Sequence, residues 1–514
     1  MEAGQIFSAD ASVASGGVPV ALDRSRTTPK RARGAISWLE RQALFVAGLA
    51  AVAGVILGKV PSHINQDGWL ALADGRYVAQ HGIPHSDTLA VLTHGARWID
   101  QQWLAQLAIY GLHQLGGLPL YSIVYVALTV GSLGMAIAAA RRLGASDPHV
   151  IWVLPVAAFL YFAGSFQIRT QGFAYPLFVG TLWLLATEVR TPSRRRVYLV
   201  FPLLILWANL HGSASLGAGI AVLYGMSLLV EDLRAGRPWR VRGRGFAFII
   251  GAPLCLLITP YAISGLTYYR ETLMNPAFKT LVIEWQPVTS FTILAVPFFA
   301  GAFATVWVLG HSRSRVRLFE ALTLLVLIAA AISAVRNITW FALAVIMLLP
   351  STVSAIVAPR PPAPRRRRLN LTLVGATAVF LLVSLTTVAT KPSSWFERSY
   401  DARALSQVAA VIHRHPDVRI FADGHFADWL LWHDPALAGR IAYDSRLELL
   451  TATQLRGLAE LTEIRAPHTR DLLAGYGLLV LDTTDRGSQR LLDQPGTDVI
   501  LRGHGVAVAT RSEP

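Results

Sequence analysis

Two acidic residues after the first apolar segment have the character of a general base. Asp67 lies in the segment Ile64–Trp69, and Asp87 follows a turn that Pro84 stiffens. A carboxylate beside apolar and aromatic residues can have a raised pKa and accept a proton during a reaction. Taken alone, Asp67 would more often cap a helix or face solvent. A third acid, Asp100, lies in the same stretch, so we predict a catalytic acid here and name Asp67 and Asp87 as the candidates.

Two arginines lie between apolar segments far apart in the chain. Arg169 precedes Thr170 and Gln171, and Arg336 precedes Asn337. The planar, permanently charged guanidinium group suits a phosphate, and an arginine at membrane depth normally has an anionic partner. We predict that Arg169 and Arg336 bind a phosphate and that Gln171 contacts substrate. An ordinary loop arginine is an equally favoured alternative for Arg169.

Four further residues are candidates for substrate binding. Asn209 and His211 lie in a very short connection between two apolar segments, and Glu284 and Trp285 end a longer polar one. The alternative role for Asn209 and His211 is a hydrogen-bond network between helices. His211 has no second ligand at a spacing diagnostic of zinc. No cofactor is predicted with certainty, and a divalent metal, Mg²⁺ or Mn²⁺, remains open.

The composition is that of a polytopic membrane protein. The 514 residues are 53% hydrophobic and only 15% charged, whereas a soluble domain has about a quarter charged residues. The net charge of +15 does not indicate nucleic-acid binding, because the arginines cluster in alternate connections between apolar segments. Such clusters mark cytoplasmic loops and contact anionic lipid headgroups.

The apolar segments predict about eleven transmembrane helices. They cover residues 42–60, 119–140, 149–166, 173–189, 197–210, 213–230, 246–263, 291–310, 317–335, 338–358 and 370–390. With the arginine clusters inside, the N-terminus is cytoplasmic and the C-terminus lies outside. All the candidate site residues then fall on the external side. We predict a disordered basic N-terminus over residues 1–40 and an all-α transmembrane domain over residues 41–390.

The polar segments divide into two external loops and a C-terminal domain. Residues 61–118 form a long first external loop, which includes an amphipathic helix over Gln101–Leu115 that lies in the membrane interface. The second external loop covers residues 264–290. Residues 391–514 are predicted to form a small α/β domain. Its predicted strands are Val418–Phe421, Arg440–Tyr443, Leu478–Leu481, Val499–Leu501 and Val506–Ala509.

In architecture and in the order of its motifs, the chain resembles the integral-membrane glycosyltransferases of the GT-C fold, close to the aminoarabinose transferases and protein mannosyltransferases. The motifs are Asp67-Gly68-Trp69, Gly82-Ile83-Pro84 with Asp87, Trp98 with Trp103-Leu104, Arg169-Thr170-Gln171, Asn209-Leu210-His211-Gly212, Glu284-Trp285 and Arg336-Asn337. The resemblance implies a polyprenyl-phosphate-linked sugar as donor and a glycan, lipid or protein as acceptor. It also implies a location in the plasma (inner) membrane and a catalytic acid at the position of Asp67. Relatives often have paired acids there, where this chain has Gln66-Asp67.

Two other functions fit the same residues. A lipid or saccharide transporter would also line a cavity with polar groups, although it would be expected to show internal pseudo-symmetry. A non-catalytic scaffold for envelope assembly would act through residues 391–514. Activity assays separate these alternatives from a transferase.

Overall fold

The computed structural model describes residues 30–59, 64–193, 195–274, 276–312, 315–357, 366–462 and 473–512, most of them helical. Residues 1–29 of the predicted disordered N-terminus lie outside these ranges. The helices, numbered α1 to α20 in chain order, are Lys30–Arg41, Ala43–Lys59, Gln66–His81, Trp103–Arg142, Asp147–Ala163, Ala174–Arg190, Val200–Leu210, Ala214–Arg234, Gly243–Cys255, Gly265–Met274, Pro276–Leu281, Thr292–His311, Leu318–Ser333, Ile338–Ile356, Arg367–Ala389, Ser393–Phe396, Ala402–Arg414, Gly424–His433, Ala452–Thr462 and Arg486–Leu492.

Apolar helices dominate the first 390 residues, as a multi-pass membrane protein requires. Within the described residues, six helical segments have the length and apolar character needed to cross a membrane. These are Trp103–Arg142, Thr170–Arg190, Ala214–Arg234, Ile293–His311, Val335–Ile356 and Arg367–Ala389. Shorter apolar helices are Ala43–Lys59, Asp147–Ala163, Arg196–Leu210, Gly243–Cys255 and Leu318–Ser333. Each overlaps a predicted span, and the count of about eleven crossings stays a prediction.

Helix α14 forms the centre of the bundle and α15 its periphery. Nearly every residue of α14 is buried against the helices around it, whereas α15 buries only Thr377 and Val388. Apolar side chains such as Phe380 and Leu382 are exposed on α15. An apolar helix face exposed in this way is suited to contact with lipid.

The N-terminal helix differs from the prediction, whereas helix α4 agrees with it. Lys30–Arg41 is helical where disorder was predicted, and the Arg41 side chain donates to Ser37 Oγ across one turn at 3.0 Å. Helix α4 joins the predicted interfacial helix to the following span. Its helical geometry is interrupted only at Gly116 and Gly117, where Gly117 has a φ of 64°. Glycine adopts such a left-handed conformation without steric cost, so the chain can change direction there.

The C-terminal region contains a four-stranded mixed sheet. The strands are β1 (Ile420–Ala422), β2 (Leu478–Asp482), β3 (Thr497–Gly503) and β4 (Val506–Arg511), in the order β1-β2-β4-β3. Strands β1 and β2 are parallel, and β4 is antiparallel to both of its neighbours. In place of the predicted strand Arg440–Tyr443, one residue, Ile441, forms two isolated bridges, to Ala90 and to Ile420 of β1.

The first predicted external loop is joined to this sheet. Val91 N donates to Ile441 O at 2.8 Å and Leu92 N to Ala442 O at 2.9 Å. Helix α3 packs against α18, where Arg76 donates from its two terminal nitrogens to the carbonyl oxygens of Trp432 and Leu431, at 2.8 and 2.7 Å. The C-terminal region therefore fixes the position of α3, which begins next to Asp67.

Candidate functional site

Asp67 lies in the first turn of α3, close to Arg169. A negative charge is stabilised at the N-terminus of a helix, so this position suits a carboxylate. Gly68 allows the close approach, because a Cβ atom there would lie 2.8 Å from the carbonyl oxygen of Ile168. The chain therefore turns into α3 directly beside the segment that contains Arg169.

Arg169 binds two carboxylates that are far apart in the sequence. Its Nη1 lies 3.2 Å from Asp67 Oδ2 and also contacts Glu284 Oε1. The Arg169 side chain is only 11% exposed, whereas those of Asp67 and Glu284 are 42% and 33% exposed. The guanidinium is thus held in place while both carboxylates remain open to solvent and to a ligand.

Arg336 lies over the indole ring of Trp285. The guanidinium carbon is 4.7 Å from the ring centroid, within the range of a cation–π interaction. A backbone hydrogen bond from Val335 N to Gln286 O, 2.9 Å long, joins the two segments. With the residues that the structure describes, Arg336 forms no salt bridge, so its N–H donors are available to an anion.

The charges of Arg169 and Arg336 act on the pKa values of both His211 and Glu284. Burial, followed by the charges of Arg336 and Arg169, lowers the pKa of His211 to about 3, so its imidazole is neutral at physiological pH. Burial alone would raise the pKa of Glu284, but Arg169 and Arg336 hold it below its usual value. His211 Nδ1 lies 2.8 Å from Ser213 Oγ and accepts from Ser213 N at 3.0 Å.

Two other predicted substrate-binding residues lie in structural positions. Asn209 Oδ1 accepts from Trp103 Nε1 at 3.1 Å, and its amide nitrogen donates to the carbonyl oxygens of Ile205 and Ile258. These contacts favour the alternative role of Asn209 in a network between helices. Gln171 is buried in the 3-10 turn that follows Arg169.

Asp87 lies in a different environment from Asp67. It is fully buried, and its carboxylate accepts from Leu89 N at 2.9 Å and from Arg446 at 2.7 Å. Arg446 also pairs with Asp444, and its guanidinium carbon lies 4.2 Å from the centroid of a Trp98 ring. Asp87 therefore belongs to a buried group that connects the first loop to the C-terminal region.

A metal ion has no evident set of protein ligands here. Within the described residues, no three His, Cys, Asp or Glu side chains are arranged to hold one. The two carboxylates nearest Arg169 are already paired with that arginine. The metal requirement stays open.

Sequence reasoning assigned no role to Arg446, Glu448 or Tyr268. Arg446 and Glu448 lie in the C-terminal region, and Tyr268 lies in the second external loop. No local spacing connects Glu448 or Tyr268 to Asp67, because each comes from a distant part of the chain.

Comparison with known proteins establishes the fold. No protein-family model matches the sequence, and no curated protein sequence matches it. Among solved structures, the oligosaccharyltransferase of Archaeoglobus fulgidus tethered with an acceptor peptide aligns at a TM-score of 0.51. The alignment covers 93% of this chain and 75% of that one, at 11% identity. The chain has the GT-C fold. The resemblance predicted this fold, and it is confirmed.

A second solved structure is similar over most of its length. ArnT from Cupriavidus metallidurans bound to undecaprenyl phosphate aligns over 90% of this chain and 97% of that chain, with 15% identity and a TM-score of 0.48. At 11% identity the alignment with the oligosaccharyltransferase establishes the fold alone. The substrate and the chemistry are argued from this chain's own residues.

Proposed function

We propose that this protein is a membrane glycosyltransferase that moves a sugar from a polyprenyl-phosphate donor to an acceptor on the extracytoplasmic face. The observation that carries the proposal is the group formed by Asp67, Arg169, Glu284 and Arg336 beside Trp285. It combines partly exposed acids with two guanidinium groups at the ends of apolar helices. The GT-C fold supports the same reaction class.

The proposed topology puts this group outside the cytoplasm. All eleven apolar helices cross the plasma (inner) membrane, with the N-terminus in the cytoplasm and residues 391–514 outside. The arginine-rich connections support this orientation, because such clusters accumulate on the cytoplasmic side. The backbone hydrogen bonds between residues 89–92 and the C-terminal region support a location of both on the same side.

The two arginines bind the donor phosphate in this proposal. Arg336 is held over Trp285 with its N–H donors available to the phosphate. Arg169 also contacts the phosphate in this proposal, while its Nη1 remains bound to Asp67 and Glu284. As the bond between the sugar and the phosphate oxygen breaks, negative charge accumulates on the leaving phosphate. Fixed guanidinium groups stabilise that charge, and a phosphate leaving group needs no strong general acid.

Asp67 is the proposed general base. The acceptor oxygen forms a bond to the anomeric carbon, the phosphate leaves with the electron pair of the broken bond, and the hydroxyl proton passes to Asp67. Glu284 contacts the same Nη1 atom of Arg169 as Asp67 does, and so helps to hold Arg169 beside Asp67. His211 and Trp285 shape the donor site, and Gln171 supports it from its buried position. Asp87 is the less favoured base, since its carboxylate is fully buried in an ion pair.

A transfer assay with proteoliposomes tests the proposal. Undecaprenyl phosphates carrying a labelled glucose, mannose or arabinose are supplied as donors together with envelope extract as acceptor. We expect transfer of one sugar by the wild type and a loss of at least about a hundredfold in the Asp67→Asn variant. Transfer at near wild-type rate by Asp67→Asn would overturn the base assignment. Movement of labelled lipid across sealed vesicles without any transfer would favour the transporter.

A further inference from the structure

One turn of the C-terminal region contacts the proposed donor site. The 3-10 turn Leu447–Leu449 belongs to a cluster in which Leu447 and Leu450 pack with Trp285 and Val282 of the second external loop. Trp285 is the residue that supports Arg336. The turn therefore lies beside the site, although it is encoded about 160 residues further along the chain.

The buried arginine next to this turn holds it in place. Leu449 N donates to Arg446 O at 3.0 Å, and the Arg446 side chain is fixed by Asp87 and Asp444. On the other side of the turn, Gln454 Nε2 donates to Leu92 O at 2.9 Å. A carboxyl group carried by a turn anchored at both ends keeps its position when a ligand arrives.

Glu448, in the middle of this turn, is half-buried. Burial raises the pKa of its carboxyl group to about 7, and the charges of Arg446, Asp444 and Asp67 also act on it. The charge of Glu448 acts in turn on the phenol of Tyr268, as does that of Arg336. The Tyr268 hydroxyl lies against the backbone of Gly212, next to His211. Glu448 and Tyr268 thus extend the group around Asp67 toward the C-terminal region.

We propose that Glu448 hydrogen-bonds to hydroxyl groups of the transferred sugar, so that the C-terminal region completes the donor site. This inference rests on the proposed function. A carboxyl group disfavours a phosphate beside it, so Glu448 is placed on the sugar side of a donor whose phosphate lies at Arg336. Carboxyl oxygens accept hydrogen bonds from hydroxyl groups, and a phenol such as that of Tyr268 offers both an apolar face and a polar group.

Comparing ligands with and without the sugar tests this role. The affinity of the detergent-solubilised full chain is measured for undecaprenyl phosphate and for undecaprenyl phosphates carrying glucose, mannose or arabinose. We expect the wild type to prefer one sugar-bearing lipid. The Glu448→Gln and Glu448→Ala variants should weaken its binding by about tenfold, the equivalent of one hydrogen bond to a charged group. Binding of undecaprenyl phosphate itself should change by less than about twofold.

The matched control is Asp498→Asn, which alters an exposed acid in the same region and should change neither affinity. Equal loss of both affinities in the Glu448 variants would show a structural turn and contradict the inference. Unchanged affinities, or an effect confined to the acceptor, would also contradict it. Failure of the wild type to bind any of the lipids would instead overturn the proposed function, and the sugar contact with it.

Discussion

Asp67 and Asp87 lie twenty residues apart in the same polar segment, yet the structure gives them opposite surroundings. Each is paired with an arginine from a distant part of the chain. The Asp67 side chain is 42% exposed, whereas that of Asp87 is inaccessible. An acid in a partly exposed ion pair can react, whereas an acid in a buried ion pair stabilises the fold. The presence of an arginine partner does not by itself distinguish the two.

The two pairs also differ in energy. An ion pair that is largely exposed contributes little to stability, because water screens it and its side chains lose entropy. Arg169 is only 11% exposed, but Asp67 and Glu284 are 42% and 33% exposed. Water therefore screens the two carboxylates, and we expect each to contribute less stability than the fully buried Asp87. Breaking a fully buried pair leaves a charge without compensation and is strongly destabilising. The group around Arg446 is therefore expected to carry stability.

The largest expected effect is that of removing Arg446. The Arg446→Met variant leaves Asp87 and Asp444 buried without their cation, and we expect a loss of about 3–5 kcal/mol in the free energy of unfolding. Thermal unfolding in detergent measures this loss. The control is Arg502→Met, which alters an exposed arginine of the same region and should be near neutral. Equal stability of the two variants would remove the distinction between the pairs.

The two aspartates should separate stability from activity. Asp87→Asn weakens a buried charged hydrogen bond, and we expect a loss of about 1–3 kcal/mol in stability. Asp67→Asn should cost less than about 1 kcal/mol while it abolishes transfer. Chemical unfolding and the transfer assay are run on both variants. A lower stability of Asp67→Asn than of Asp87→Asn would contradict the proposed difference between the two acids. Loss of transfer in folded Asp87→Asn, with transfer retained in Asp67→Asn, would also contradict it.

The buried acids around Arg446 make stability depend on pH. Burial raises the pKa of Asp100 to about 7 and also raises that of Asp74. A carboxyl group with a raised folded-state pKa contributes stability below its unfolded pKa and loses that contribution as pH rises through the folded value. Unfolding measured from pH 4 to pH 8 should therefore show stability falling toward pH 7.

The decrease in stability from pH 4 to pH 7 should be smaller in the Asp100→Asn variant, because the amide cannot ionise. The exposed Asp498→Asn variant should leave the pH profile unchanged. A fall of equal steepness in Asp100→Asn and in the wild type would show that Asp100 is ionised in the folded protein over this range.

The smallest expected effect concerns the aromatic support of Arg336. Trp285→Leu removes a cation–π interaction of about 0.5–1 kcal/mol. We expect the affinity for undecaprenyl phosphate to fall by about two- to fivefold, as measured by calorimetry. Trp395→Leu is a matched control, because Trp395 lies 5.7 Å from Arg398 in the C-terminal region and should not affect lipid binding.

The sequence predicted those features that depend on local patterns. Long apolar runs predicted the positions of the helices. The positions of polar residues in alternate connections predicted that Asp67, Arg169 and Glu284 lie in one region. The amphipathic helix and the following span are separated by a kink at Gly116 and Gly117, where the sequence predicted the boundary between them. The strand predicted at Arg440–Tyr443 is reduced to bridges of Ile441 with Ala90 and Ile420.

Other features depend on contacts between residues far apart in the chain. Asp87 and Arg446 are separated by 359 residues, so nothing local distinguishes Asp87 from Asp67. The packing of Leu447 and Leu450 in one cluster with Trp285 likewise depends on how the C-terminal region packs on the second external loop. Asn209 was a reasonable candidate ligand, but its hydrogen bonds to Trp103, Ile205 and Ile258 follow only from the packed helices.

The most direct test of the central claim is an experimental structure of the full chain in lipid nanodiscs with undecaprenyl phosphate. We predict that the phosphate lies within hydrogen-bond distance, about 3 Å, of Arg336 and Arg169, with Asp67 open toward the exterior. A phosphate bound at the opposite membrane face, or elsewhere with Arg336 and Arg169 uncontacted, would contradict the account.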